Sequence, residues 1–357
     1  MTGVETEMEL PHSFDEFTPE WFSKALSTRF PGVQVSGFRR SGERVGTSAS
    51  ARFELDYASK GTGEPPPSVY IKGGFTEAQL KRYWVVLQRE ALFYAEFAER
   101  VPMNIPRCLF SATDERRQGL TMLEDLALRP VEFGDWGRLS VDQVADLLEQ
   151  LATMHGAFWL DEKMKAFTVG WERPERDFSG YMIRDKHWDH LVTRVYGEQL
   201  IEAVGSAELA REALARMWAL NDAAPFTLLH GDTHGYNTFF ETDGRGGFAD
   251  FQLSFCGTPL YDMSWLIMSG LSIEDRRAEE RNLIKTYLKA GAAAGMELPD
   301  LDAAWLVHRQ QAVRAVLDGA CNPIEAGTLE MINRAGIVTC AAAIDLDPLE
   351  ALGVSRG

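Results

Sequence analysis

Between Leu228 and Gln252 the chain reads LLHGDTHGYNTFFETDGRGGFADFQ, which sets Asp232, Asn237 and Asp250 at the ends of two apolar runs separated by a turn. Asp232 and Asn237 are too close for an element to lie between them and at the wrong offset for one helix face. The spacing therefore predicts both on one loop, after a strand around Thr227 to Leu229. A second strand over Gly247 to Phe251 would follow the D-G-R-G-G run, whose Asp and Gly residues suit a hairpin turn, and would carry Asp250 alongside. Three oxygen-bearing side chains would then meet at one end of a hairpin.

Such a cluster can hold a divalent cation and a nucleoside triphosphate while one carboxylate stays free to receive a proton. Phosphoryl transfer asks for little more: metal to neutralise phosphate oxygens, and a base that orients the attacking hydroxyl. Mg2+ takes hard oxygen ligands from one or two side chains plus the phosphates, a role open to Asn237 and Asp250. His230 and His234 read as donors that stabilise the loop rather than as ligands, because this cation prefers oxygen. G-D-T-H-G alone also matches the first block of a metallophosphoesterase, but the G-D-x-x-D-R-G and G-N-H-D/E blocks of that family are absent downstream.

H-G-D-x-H-x-x-N followed by a strand ending in D-F-Q resembles the aminoglycoside phosphotransferase and choline kinase superfamily. Within it, L-A-T-M-H-G-A-F-W at 151–159, L-E-D-L at 123–126 and D-F-Q look most similar to the ecdysteroid-kinase-like branch. The resemblance covers about residues 40–290. It implies an α+β, two-lobe protein-kinase-like fold, with a small antiparallel-sheet lobe over residues 1–127 and a larger, mostly helical lobe over 128–357. It implies ATP and Mg2+ as cofactors, Asp232 as the catalytic residue that orients and deprotonates a small-molecule hydroxyl acceptor, and Asn237 and Asp250 as the metal ligands. It also implies that backbone between Leu123 and Leu126, with Glu124 and Leu126 contributing, hydrogen-bonds the adenine edge, and that Asp262 braces the catalytic loop by accepting its backbone N–H groups. H-G-D in place of H-R-D and D-F-Q in place of D-F-G argue against a protein kinase.

A kinase-like fold also needs a lysine on a strand and a glutamate on the next helix. Ser68 to Lys72 alternates, with Val69 and Ile71 on one face and Tyr70 and Lys72 on the other. A helix is expected over Thr76 to Arg100, where Tyr83, Val86, Leu87, Phe93, Tyr94 and Phe97 form an apolar stripe that contains Glu90. An unpaired buried carboxylate is costly, so Glu90 needs a partner, and Lys72 is the candidate to bind the α and β phosphates. Upstream, Gly42 and Gly46 flank Thr47, Ser48 and Ser50 before alternating Phe53, Leu55 and Tyr57. This reads as a hairpin whose turn can cover phosphates with backbone N–H groups, though an ordinary turn has the same pattern. E-P-P-P at 64–67 fits a solvated connection.

Beyond residue 128 the pattern turns helical. Val141 to Trp159 carries Val144, Leu147, Leu148, Leu151, Met154, His155 and Phe158 at helical spacing behind Ser140 as cap, and His155 reads as a hydrogen-bonded core histidine. Ile273 to Ala290 and Asp302 to Leu317 are further amphipathic helices. Phe158, Trp159, Phe167, Trp171, Phe178, Tyr181, Trp188 and Tyr196 crowd one segment at irregular spacing, which suits either an acceptor pocket or the cap of the helical core.

A net charge of −17 disfavours nucleic acid or an anionic membrane as partner. Cys108, Cys256, Cys321 and Cys340 lie far apart without C-x-x-C, which argues against zinc or a disulfide framework. The start MTGVETEMELPHSF lacks a basic segment before an apolar one, no run has membrane-spanning length, and the cytoplasm is the expected location. Acceptor identity, ATP against GTP, and oligomeric state stay open.

Overall fold

A computed structural model describes residues 8–164, 176, 183–320 and 328–356. The fold is mixed α+β, with an antiparallel-sheet N-terminal lobe and a helical C-terminal lobe. One compact unit runs to Val101, resumes over Ile105–Val131 and takes in Asp250–Ser254. The other comprises Pro102–Asn104, Glu132–Ala249 and the chain from Phe255 onward.

In the first unit β1 (Val33–Val45), β2 (Ala49–Lys60), β3 (Ser68–Gly73), β4 (Cys108–Thr113) and β5 (Gly119–Glu124) form one sheet in the order β1-β2-β3-β5-β4. Every adjacent pair is antiparallel. The alternation in β3 is realised: Val69 and Ile71 are fully buried in a core with Phe53, Leu120 and Met122. That core is closed by a helix over Pro19–Leu26, capped by the Thr18 hydroxyl and started by Pro19, which buries Trp21, Phe22, Ala25 and Leu26. Two-period alternation sends Lys72 to the opposite side of the strand from Val69 and Ile71.

The single helix expected over Thr76 to Arg100 is instead broken. Glu77–Arg82 is one helix, Tyr83 leaves helical geometry at φ −118° and ψ 10°, and a second helix covers Trp84–Leu92. A wider turn over Phe93–Phe97 and a tight turn over Ala98–Arg100 follow. The two helices answer to different neighbours. Gln79 in the first accepts from Phe75 N–H at 3.1 Å and donates to Gly46 C=O at 3.0 Å, at the β1–β2 turn. Trp84–Leu92 instead packs on β5, where Gly119 passes so close that an added Cβ would lie 2.2 Å from the Leu87 carbonyl oxygen.

The second unit holds helices over Val141–Ala157, Asp185–Leu191, Gly197–Val204, Ala207–Ala223, Leu260–Gly270, Ile273–Ala293, Leu301–Ala320, Leu329–Leu346 and Pro348–Ala351. Ser140 and Gln143 form a complete capping box on the first. Leu260–Gly270 is buried along its whole length, which makes it the axle of this unit. β6 (Val131–Phe133), β8 (Thr238–Glu241) and β9 (Gly246–Phe248) form one small sheet. β7 (Thr227–Leu229) pairs with β10 (Phe255–Gly257) in another. The expected hairpin is thereby corrected: the turn at 242–245 joins β8 to β9, and β7 is not one of its arms. β9 ends at Phe248, because Asp250 at φ +68° cannot continue a strand.

Of the irregular aromatics, Phe158 and Tyr196 are fully buried, Trp159 is half-buried and Trp188 packs against the helical core. Phe167, Trp171, Phe178 and Tyr181, and with them Cys321, lie outside the described residues. Among the described residues no helix is long and apolar enough to cross a membrane.

Gly119→Ala is expected to destabilise the first unit by about 1–3 kcal/mol, as overpacking does where backbone must move. Urea unfolding measures it, and an unchanged midpoint would show that the Glu90 helix can step back freely.

Candidate active site

The sequence-derived residues fall into two sets. In the first unit, β3 carries Lys72 and the helix Trp84–Leu92 carries Glu90, 9% and 2% exposed respectively. Lys72 Nζ lies 2.9 Å from Glu90 Oε2 and 2.6 Å from Asp250 Oδ1. One ammonium is thus shared by two carboxylates. Burial pushes the Glu90 carboxyl up to about 7, with the Asp250 charge adding to the effect and Lys72 opposing it. Burial works against the charged Lys72 amine, but Asp250 and Glu90 overcome it and hold the amine above its ordinary value.

Asp250 sits where backbone strain is tolerated by few residues other than glycine, at φ +68°. Its neighbour holds it there. Phe251 is fully buried and its ring lies parallel to Phe93 at 3.9 Å, while the Phe251 backbone also bonds to Glu90. Thr47 and Ser48 form the β1–β2 turn, with Thr47 exposed. At the end of β5, Glu124 Oε1 accepts from Arg107 N–H at 2.8 Å and Arg129 at 3.1 Å, and Leu126 opens a short turn capped by Asp125.

The second set lies in the second unit, on the segment after β7. Gly231 takes φ +84°, which requires glycine at that step. Asp262, fully buried in the first turn of Leu260–Gly270, accepts from His230 N–H at 2.7 Å and Gly231 N–H at 3.0 Å. His155, equally buried, contacts the same carboxylate at 3.3 Å and the Tyr287 hydroxyl at 2.6 Å. His230 is fully buried; Nδ1 accepts from Asp232 N–H at 3.2 Å and Nε2 faces the Ala249 carbonyl at 3.0 Å.

The Asp232 side chain is partly open, at 18% exposure. Its Oδ1 accepts from the Trp265 indole N–H at 3.1 Å. Its Oδ2 has longer contacts, 3.3 Å to Asn237 Nδ2 and 3.4 Å to His234 Nε2. Burial pushes this carboxyl up, but His234, the Arg314 charge and the Trp265 N–H outweigh it and hold Asp232 well below the usual carboxylate range. Such a group is ionised at neutral pH. Asn237 Nδ2 also donates to the Asp232 carbonyl at 2.9 Å, and the Asn237 carbonyl accepts from Ala249 N–H at 2.9 Å.

His234, read from the sequence as a loop-stabilising donor, stands beside Asp232 Oδ2. Two further groups were not legible in the sequence: Trp265 donates to Asp232 Oδ1, and the buried Arg314 donates to the Gly231 carbonyl at 2.8 Å. The available signal was the spacing of Asp262 and Trp265, three residues apart on one apolar helix.

The model of the phosphotransferase enzyme family matches residues 78–299. No curated protein sequence matches the chain. Among solved structures, a choline kinase from Cryptosporidium parvum is 12% identical, with 94% of this chain and 97% of that chain covered at TM-score 0.51. An ethanolamine kinase from Plasmodium vivax is 13% identical, with 92% and 84% covered at TM-score 0.49. A putative aminoglycoside phosphotransferase from Ralstonia eutropha is 14% identical, with 93% and 99% covered at TM-score 0.49.

Lys72→Met leaves Glu90 buried without its ammonium, which is expected to destabilise by about 3–5 kcal/mol near pH 8. The Glu90 carboxyl, already raised to about 7, then rises further in the folded state, while the unfolded chain keeps a value of about 4.3. The penalty is therefore absent below the unfolded value and grows as pH rises toward the folded one. Urea unfolding should show the variant recovering stability between pH 8 and pH 5 relative to wild type. A loss of equal size at both pH values would contradict a buried, shared ammonium.

Proposed function

The chain belongs to the phosphotransferase enzyme family, and on that premise we propose that it transfers the γ-phosphoryl group of ATP to a hydroxyl of a small molecule. The observation that carries this reading is the shared amine: Lys72 Nζ within 3 Å of Glu90 and of the aspartate of D-F-Q. A phosphate-binding lysine needs that arrangement, a strand amine fixed by a helix carboxylate and kept ionised.

Asp232 orients the acceptor hydroxyl and receives its proton. Lys72 binds the phosphates, the β1–β2 turn at Thr47 and Ser48 covers them, and the backbone at Glu124 and Leu126 meets the adenine edge. Asn237 and Asp250 hold Mg2+, and their chemistry fits it. Both offer hard oxygens. Asn237 directs its amide nitrogen to Asp232, which leaves Oδ1 without a partner among the described residues. Asp250 likewise keeps Oδ2 unpartnered among the described residues. The metal, when bound, neutralises phosphate oxygens.

The acceptor class we propose is a hydroxylated apolar compound, sterol-like or an acyl-chain alcohol, following the resemblance to the ecdysteroid-kinase-like branch, with the cytoplasm as the setting. The net charge of −17 favours a second class, amino sugars and amino alcohols. ADP release against a panel holding both classes decides between them. A protein that keeps the fold without turnover would be stabilised by Mg-ATP in a thermal-shift experiment yet release no ADP with any acceptor.

Asp232→Asn is expected to fold normally and lose about 10²–10⁴-fold in kcat, the range of a positioned base. Asp250→Ala should in addition weaken Mg-nucleotide binding by calorimetry. Full transfer in either variant would refute the assignment.

A further inference from the structure

We infer that Trp265 is a positioning residue for Asp232: its indole N–H occupies Oδ1 and leaves Oδ2 as the oxygen that meets the acceptor hydroxyl. The inference rests on the reading of Asp232 as the group that receives the proton.

The helix Leu260–Gly270 grips the segment from two points on one face. Residues three apart stand side by side on a helix. Asp262 therefore takes the backbone N–H groups of His230 and Gly231, and Trp265 reaches the side chain of the next residue, 3.1 Å from Asp232 Oδ1. Backbone and carboxylate are held by the same rigid element. Trp265 is itself fixed on several sides. It is 1% exposed, meets Trp136 edge-on at 5.4 Å and 67°, and lies under the Arg314 guanidinium at 4.9 Å. Arg314 in turn donates to the Gly231 carbonyl and stands 4.0 Å over Tyr261.

The two carboxylate oxygens are treated unequally. Oδ1 has one well-formed, charge-assisted donor in a buried place. Oδ2 has only the long contacts of 3.3 Å to Asn237 and 3.4 Å to His234, short of what a carboxylate oxygen accepts when satisfied. A free Asp side chain rotates and offers both oxygens by turns. Pinning Oδ1 fixes that rotation and presents the under-satisfied oxygen in one direction. A tryptophan that merely filled the core would need no acceptor at this point beyond relieving its own N–H, and its effect would lie in stability alone.

Trp265→Phe separates the two, because phenyl keeps an aromatic ring beside Trp136 and Arg314 and removes the donor, while the volume lost with the second ring is read separately in Tm. With the full chain and an acceptor found in the panel, kcat is expected to fall about ten- to a hundredfold, the worth of a hydrogen bond to a charged group. KM for Mg-ATP should stay within about twofold. Unchanged kcat with a lowered Tm would overturn the inference. Should the variant fail to fold, the wild-type indole N–H resonances in 15N-tryptophan-labelled protein carry the test. One of them should move upfield in Asp232→Asn, and a spectrum without such a change overturns the inference. A wild-type chain that transfers nothing removes the proposed function and the inference together, whereas an active wild type with an equally active Trp265→Phe removes the inference alone.

Discussion

The amine of Lys72 is the point on which the first unit turns. A lone ammonium in a site almost closed to water would be deprotonated or would unfold its surroundings, so it persists only because two carboxylates answer it. Each of them constrains something else. Glu90 fixes the rotation of the helix Trp84–Leu92 against β3, and β5 drops its side chain at Gly119 to let that helix approach. Asp250 ties a stretch far downstream to the sheet, with the stacked rings of Phe251 and Phe93 supplying apolar contact beside the charges. One ammonium thus answers two carboxylates, and the trio stays short of cation.

The second unit solves a different problem. A segment with a partly open carboxylate must keep one shape although its backbone passes through a left-handed glycine. The solution is a buried polar scaffold: Asp262 accepting two N–H groups, His155 contacting that carboxylate from behind while its other nitrogen meets the Tyr287 hydroxyl, and Arg314 donating to the intervening carbonyl. The Asp262 carboxylate and the His155 ring each meet partners within that set, and a connected buried network of this kind stiffens the structure around it. Asp232 inherits the rigidity, and the charges nearby keep it ionised.

Much of this was readable from neighbouring residues. The two-residue alternation of S-V-Y-I-K put Lys72 across the strand from Val69 and Ile71, and Ser140 announced the start of a long helix. Glu90 inside an apolar stripe demanded a cation before any coordinates did. Misreadings arose where distant chain intervened. Thr76 to Arg100 has the pattern of one helix, but Gln79 belongs to the β1–β2 turn and Leu87 to β5, and two attachments pulled the axis apart at Tyr83. The hairpin around D-G-R-G-G was assigned the wrong first arm, because β7 has a better partner in β10, across residues the turn signal does not see.

The sequence by itself settled which groups are present, which face of each strand or helix they take, and where caps and glycines punctuate the chain, since these follow from interactions within a few residues. Only tertiary structure decided that Lys72 meets Asp250 across 178 positions, that Trp265 donates to Asp232 Oδ1, and that Arg314 donates to the Gly231 carbonyl. Those contacts depend on how whole elements pack, and packing is chosen by the summed burial of many side chains, a quantity that no local pattern carries.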